Sequence, residues 1–361
     1  MPAHPRADTP AAPAGEGADI ASRFARLARE PDLPLPGAGR TWLRWLRLAE
    51  VAAEDVSLVK LFEAHADALA IMAELGAPPP PPGSRWGVWA AEPPDAQVVF
   101  HAGGDTPDRL DTPDRPARGS LRGRKAWCSG APLVTHALLT CRDEREQRCL
   151  AVVALDAPGV RMDERAWQSP AMRAARTADI DFDGTPARRL GAANAYLERP
   201  GFWHGGAGIA ACWLGAAVPL ALALRGQVAR RAEPHAAAHL GAVDLALHAG
   251  WAQLREAAAW IDSHPAADAA AVAMRTRLAA EHAAGTVIEH AGRALGAGPL
   301  CRDAALAARF CDLPVFLRQS HAERDLAALG ALLCGPGAST TAWAPWQADA
   351  ARHVSGQGQA T

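Results

Sequence analysis

Apolar positions recur at helical spacing in the first part of the chain, at strand spacing in the middle, and at helical spacing again almost to the end. Asp19 to Arg29 reads as a short amphipathic helix, stopped by Pro31, Pro34 and Pro36. A second helix is predicted from Thr41, its expected N-cap, with Leu43, Leu46 and Val51 at helical spacing. A third runs from about Asp55 through Val59, Phe62, Leu69 and Met72 and stops at Gly76. The five prolines Pro78 to Pro82 form a stiff linker, and beyond them the period changes.

Short strand-like runs follow at Trp86 to Trp89, Gln97 to His101, Ala126 to Ser129, Ala137 to Cys141, Cys149 to Leu155 and Ala178 to Phe182. Gly130, Ala131 and Pro132 separate two of these runs, which reads as two strands joined by a tight turn. The helical period returns from about Ala193 to Leu333, broken near Glu233-Pro234, Ser263-His264-Pro265 and Gly296 to Pro299. Gly201 to Leu224 holds no charged residue, but it is rich in Ala and Gly and contains Pro219, which favours a buried bundle helix over a membrane span. The expected fold class is therefore α+β and multi-domain. It comprises a tail over 1–17, a shortened helical segment over 18–77, a central β-barrel or sandwich over 83–186, a four-helix-type bundle over 193–335 and a flexible tail over 336–361.

Charge and cysteine content narrow the function classes. With 37 basic and 39 acidic residues the formal charge is -2, which gives no footprint for nucleic acid or an anionic membrane. Seven cysteines without a C-x-x-C spacing suit a reducing compartment and argue against a disulfide or zinc scaffold. The N-terminal residues lack an apolar signal core, so a cytoplasmic location is expected. His235 and His239 share a helix face, yet no Glu follows the first as in H-E-x-x-H, and no metal site is expected.

The pattern G-x-K-x-W-x-S-G-A over Gly123 to Ala131 resembles the central strand of the acyl-CoA dehydrogenase superfamily. The resemblance implies that Trp127 packs on a flavin ring and that Ser129 hydrogen-bonds its N5. Further segments match in the same order. Glu92-Pro93 stands where the family has T-E-P-x-x-G-S-D, though Ala91 replaces the Thr and the G-S-D is missing. Trp167, Met172 and Arg173 with Asp179 to Gly184 resemble the family's W-x(4)-G-M-R segment and the strand after it. Arg231 and its neighbour Arg230 fall where an Arg reaches a partner subunit's cofactor, and Arg293, Gly296 and Gly298 resemble the Q-x-x-G-G-x-G turn that lies on the adenosine diphosphate. The resemblance thus implies FAD and a homodimer or homotetramer.

The expected catalytic carboxylate is absent. Counting from Asp312, the usual position falls on Ser320, followed by His321, and the alternative position on the first bundle helix is Gly205 beside His204. Glu323 and Asp325 read as turned away on a continuing helix, whose face carries Leu317, His321 and Arg324. The segment R-Q-S-H from Arg318 to His321 is closer to the R-x-x-H of the superfamily's flavin monooxygenase branch. Ser320 and His321 are therefore the catalytic candidates. Three functions follow from the resemblance. One is an FAD-dependent oxidoreductase acting on the CH–CH bond of an acyl thioester or related substrate, with its Glu replaced. A second is a two-component monooxygenase using FMN, an aromatic substrate and a redox partner protein. The third is a non-catalytic paralogue.

Overall fold

The computed structural model describes residues 14–30, 33–103, 118–335 and Trp343. The expectation for the far N-terminal tail and nearly all of that for the 336–361 tail lie outside these residues.

Helix α1 (Ala14–Leu27) begins inside the stretch read as tail. It is followed by α2 (Thr41–Glu54) and α3 (Val56–Glu74). Asp55 caps α3 by accepting from the Leu58 amide at 2.9 Å. Thr41 does not cap α2 as the sequence suggested. That end is held from a distance, where Asp262 accepts hydrogen bonds from the Gly39 amide, the Thr41 amide and the Thr41 hydroxyl. A local sequence window cannot see a cap 221 residues away.

The strands are β1 (Trp86–Trp89), β2 (Val98–Ala102), β3 (Arg118–Cys128), β4 (His136–Asp143), β5 (Arg148–Ala154), β6 (Val160–Asp163) and β7 (Ala178–Leu190). Pairing runs β4–β2–β3–β7–β5 and back to β4, so the sheet closes on itself as a barrel, with β1 also on β4 and β6 on β7. The tight turn expected around Gly130 joins β3 to β4, but these two strands do not pair with each other. β3 pairs antiparallel with β2 and β7, whereas β4 pairs parallel with β1 and antiparallel with β5. The turn residues were read correctly, but the chain uses them to step across the barrel instead of folding back on itself. β3 is also longer than its apolar run, because Arg122 and Arg124 face outward onto Asp183 and Asp181 of β7.

The later helices are α4 (Ala195–Glu198), α5 (Gly201–Arg230), α6 (Pro234–Ser263), α7 (Ala270–Leu295), α8 (Ala297–Arg302), α9 (Ala304–Phe316) and α10 (Glu323–Cys334). α5 is long and apolar enough to cross a membrane, but two-thirds of its most apolar window is buried among other elements of the chain. Its small residues have a packing reason. A Cβ on Gly215 would come within 2.2 Å of the Ala49 carbonyl oxygen, and one on Gly208 within 3.1 Å of the fully buried Trp45 indole nitrogen. α2 and α5 therefore meet nearly backbone to backbone.

Candidate functional site

One cavity of about 780 Å³ opens between the end of the barrel, the α2–α3 pair and the later helices. Its barrel wall is set by a break in β3. The register between β3 and β7 shifts between Lys125 and Cys128, leaving Trp127 in a left-handed conformation with φ 57°. Bulky residues rarely adopt that conformation, and such bulges re-aim side chains beside binding sites. Asp179 fixes it by accepting from the Trp127 amide at 3.1 Å, and the indole is left 57% exposed on the cavity wall. Lys125, two residues earlier, points the other way. Its ammonium is buried in the barrel and donates to the Thr140 carbonyl and hydroxyl, and burial lowers its pKa.

Ser129 and Thr177 stand beside Trp127. The Thr177 hydroxyl donates to Ser129 Oγ at 3.3 Å, so the Ser129 proton remains free to donate into the cavity. An open aromatic face next to a free hydroxyl donor fits a flat heterocycle with a ring-nitrogen acceptor. Trp167 and Met172 complete this wall. Met172 is itself held at φ 55° by Asp312, which accepts from its amide at 2.6 Å.

The opposite wall carries charge. Arg44 from α2, and Lys60, Glu63 and Asp67 from α3, line it together with Tyr196 of α4 and Arg199. Most of these groups are already committed. Lys60 pairs with Glu63, Arg199 with Glu74 at 2.7 Å, and Arg44 donates to the Pro34 carbonyl at 3.4 Å. Burial raises the pKa of Glu63 despite the adjacent Lys60, and lowers that of Arg44. Arg277 of α7 closes the far side. Its guanidinium lies 5.0 Å from the Trp213 ring and donates to the Gly206 and Gln319 carbonyls.

The sequence candidates divide into two groups. Trp127, Ser129 and His321 line this one cavity. Ser320 is buried beside it but does not line it, because its hydroxyl donates to Glu281, which also pairs with Arg318. Glu92, Arg231, Arg293, Gly296 and Gly298 are not among the lining residues. Arg293 is exposed and paired with Glu289 at 2.9 Å, while Gly296, at φ 66°, ends α7. The continuous helix expected through Leu317 and Arg324 is broken, since a short 3₁₀ turn ends at Gln319 and Ala322 takes φ 47° before α10 begins. As a result Asp325 is not turned away. It lines the cavity, accepts from the His321 amide at 3.1 Å and faces its imidazole at 3.4 Å. The residues that sequence reading missed are those of α2 and α3. Their charged positions, Arg44, Lys60, Glu63 and Asp67, carry no local signal that separates a cavity wall from a solvated helix face.

No family model matches the sequence, and no curated protein does. Solved structures do match. Glutaryl-CoA dehydrogenase from Mycobacterium smegmatis superposes with a TM-score of 0.73 at 18% identity, covering 90% of each chain. TdsC from Paenibacillus sp. A11-2, solved with FMN and indole, gives 0.68 at 17% identity over 90% of this chain and 98% of that one. KijD3, solved with FMN and a dTDP-linked amino keto sugar, gives 0.69 at 18% identity over 92% and 95%. Dehydrogenases and monooxygenases thus share the arrangement found in this chain, which has the fold of the acyl-CoA dehydrogenase-like flavoproteins.

Proposed function

We propose that the chain is a flavin-dependent oxidoreductase acting on a small polar substrate. The observation that carries this reading is the β3 bulge, which presents the Trp127 face and the free Ser129 donor side by side on the cavity wall. A bound flavin supplies two-electron chemistry that no side chain of the protein offers. Trp127 would stack on its ring, Ser129 would hydrogen-bond a ring nitrogen, and Arg277 with Phe316 would help exclude water behind it. The neighbours' cofactors support the same assignment, and FMN is the simpler occupant. Arg231, Arg293, Gly296 and Gly298 stand apart from the cavity, so they serve FAD only if a second copy of the chain brings them to it.

Long acyl thioesters fit the cavity poorly, because Arg44, Lys60, Glu63, Asp67 and Arg199 form the wall an acyl chain would have to cover. Ser320, committed to Glu281, is not free to act as a base. A specific observation also favours the monooxygenase reading, in which a separate reductase supplies the reduced cofactor. The His321 imidazole is 62% exposed on the cavity wall and is oriented by Asp325, as a proton donor would need to be.

The test is reconstitution of purified protein with FAD and with FMN, followed by gel filtration. Retained flavin is expected in the parent and reduced retention in Trp127→Ala, because stacking contributes about 0.5–1.5 kcal/mol beyond area burial. A colourless parent at saturating flavin would instead indicate a non-catalytic relative. Anaerobic mixing of the loaded protein with fatty acyl-CoAs is expected to bleach the flavin slowly or not at all.

A further inference from the structure

Several carboxylates besides Asp67 line the cavity or stand behind its walls, and those named next are occupied. Glu63 pairs with Lys60, and Glu74 accepts from Arg199 and from the Gly201 amide. Glu281 holds Ser320 and Arg318, Asp325 holds His321, and Asp312 holds the Met172 amide. Asp67 differs from all of them. It lines the cavity, its Oδ1 is fully buried, and that oxygen has no hydrogen-bond partner among the described residues. The nearby cations make no hydrogen bond to it: Lys60 pairs with Glu63, Arg199 pairs with Glu74 through one terminal nitrogen, and Arg199 Nε is left without a partner of its own. Asp67 Oδ1 is covered by the α5 backbone, since a Cβ placed on Gly205 would lie 2.6 Å from it, whereas the side chain as a whole is only half-buried and meets the cavity through its remaining surface. A buried acceptor without a partner is costly, and sites that retain one commonly use it.

We infer that Asp67 is the general base of this cavity, the side chain that takes a proton from the bound substrate. The inference rests on the cavity being the substrate site of the proposed oxidoreductase. It assigns the proton step to α3 of the N-terminal segment, where the sequence pattern had offered only Ser320 and His321. The groups facing Asp67 are Arg44 from α2, Lys60, Glu63 and Glu74 from α3, Tyr196 from α4, and Arg199. Burial raises the Asp67 pKa, opposed by Arg199, Arg44 and Lys60 and reinforced by Glu74. Such a carboxyl is a stronger base once ionised than an exposed one.

The test uses the flavin-free protein and a nitrobenzisoxazole, a chromogenic probe that opens when a base removes its ring C–H proton. The proton goes to an Asp67 oxygen, the C–H electron pair becomes the new nitrile bond, and the N–O bond breaks to leave a cyanophenolate. The parent is expected to open the probe with a rate that rises with pH through one ionisation, and Asp67→Asn to lose about 10²-fold or more. Carboxyl NMR of the parent should show the Asp67 signal titrating above the ordinary range of about 3.9. Equal turnover by parent and variant, or an Asp67 signal titrating at the ordinary value, would overturn the assignment. Neither measurement contains flavin, so failure here leaves the cofactor reading standing, and a colourless parent leaves this result standing.

Discussion

The two walls of the cavity are built on opposite plans. The barrel wall is strained and open: a bulky residue sits in a left-handed bulge, its indole exposed, with a free hydroxyl beside it. The helical wall is relaxed in backbone and loaded in charge, with four ionisable side chains on α2 and α3 turned toward a low-dielectric space. A backbone distortion suits a flat ligand that needs a surface and one hydrogen bond. Buried ionisable groups suit a ligand that exchanges protons. Under the proposed function, electron chemistry belongs to the first wall and proton chemistry to the second.

The strongest way to break this picture is to remove the frame behind the charged wall. Trp45→Ala empties a fully buried site between α2 and α5, with an expected loss of about 3–5 kcal/mol in urea unfolding. If it unfolds like the parent, α2 does not hold that wall in place. The pH dependence of stability sharpens the contrast next. Asp67 is raised in the folded state, chiefly by burial, so its contribution is fully present below its unfolded value of about 3.9 and is lost as pH rises through the raised folded value. Parent minus Asp67→Asn stability should therefore fall with rising pH, and a flat difference would show that Asp67 is solvated. On the barrel wall, Trp127→Gly should stabilise the protein by about 1–2 kcal/mol by relieving the left-handed strain, while flavin retention drops. A fall in melting temperature would mean that the indole packs more than its exposure suggests. The smallest effect is expected on the outer face of the same barrel. Arg124→Ala removes an exposed two-pronged pair with Asp181 and should cost about 0.2–1 kcal/mol, checked by chemical denaturation at low and high salt.

The same contrast explains what could be read from the chain. Trp86 to Trp89 was delimited as a strand to the residue, because Pro and Gly punctuate it and its residues favour a pleated surface. The α5–α6 break at Glu233-Pro234 and the end of α7 at Gly296 were legible for similar local reasons. Trp127 and Ser129 stood out only through the resemblance carried by Gly123 to Ala131, and the bulge itself left no local sign. Asp67 left none either. Its neighbours Arg44, Tyr196, Arg199 and Gly205 come from two distant stretches of the sequence, and an Asp at a helical polar position looks the same whether its face meets water or a cavity. The β3–β4 turn was legible but the pairing was not, since a tight turn specifies a local bend and not which strands then pair.

The clamp of Asp262 on Thr41 and Gly39 also has a consequence during synthesis. The start of α2 is secured by a side chain made 221 residues later, and its apolar face is covered by α5, which also comes late. At the usual 5–20 residues per second, the ribosome needs about 10–40 s to close that gap. The first helices must spend that interval with their inner faces uncovered. A ribosome-bound chain stalled before Asp262 should therefore be cut readily by protease within α2, whereas a chain stalled near its end should resist.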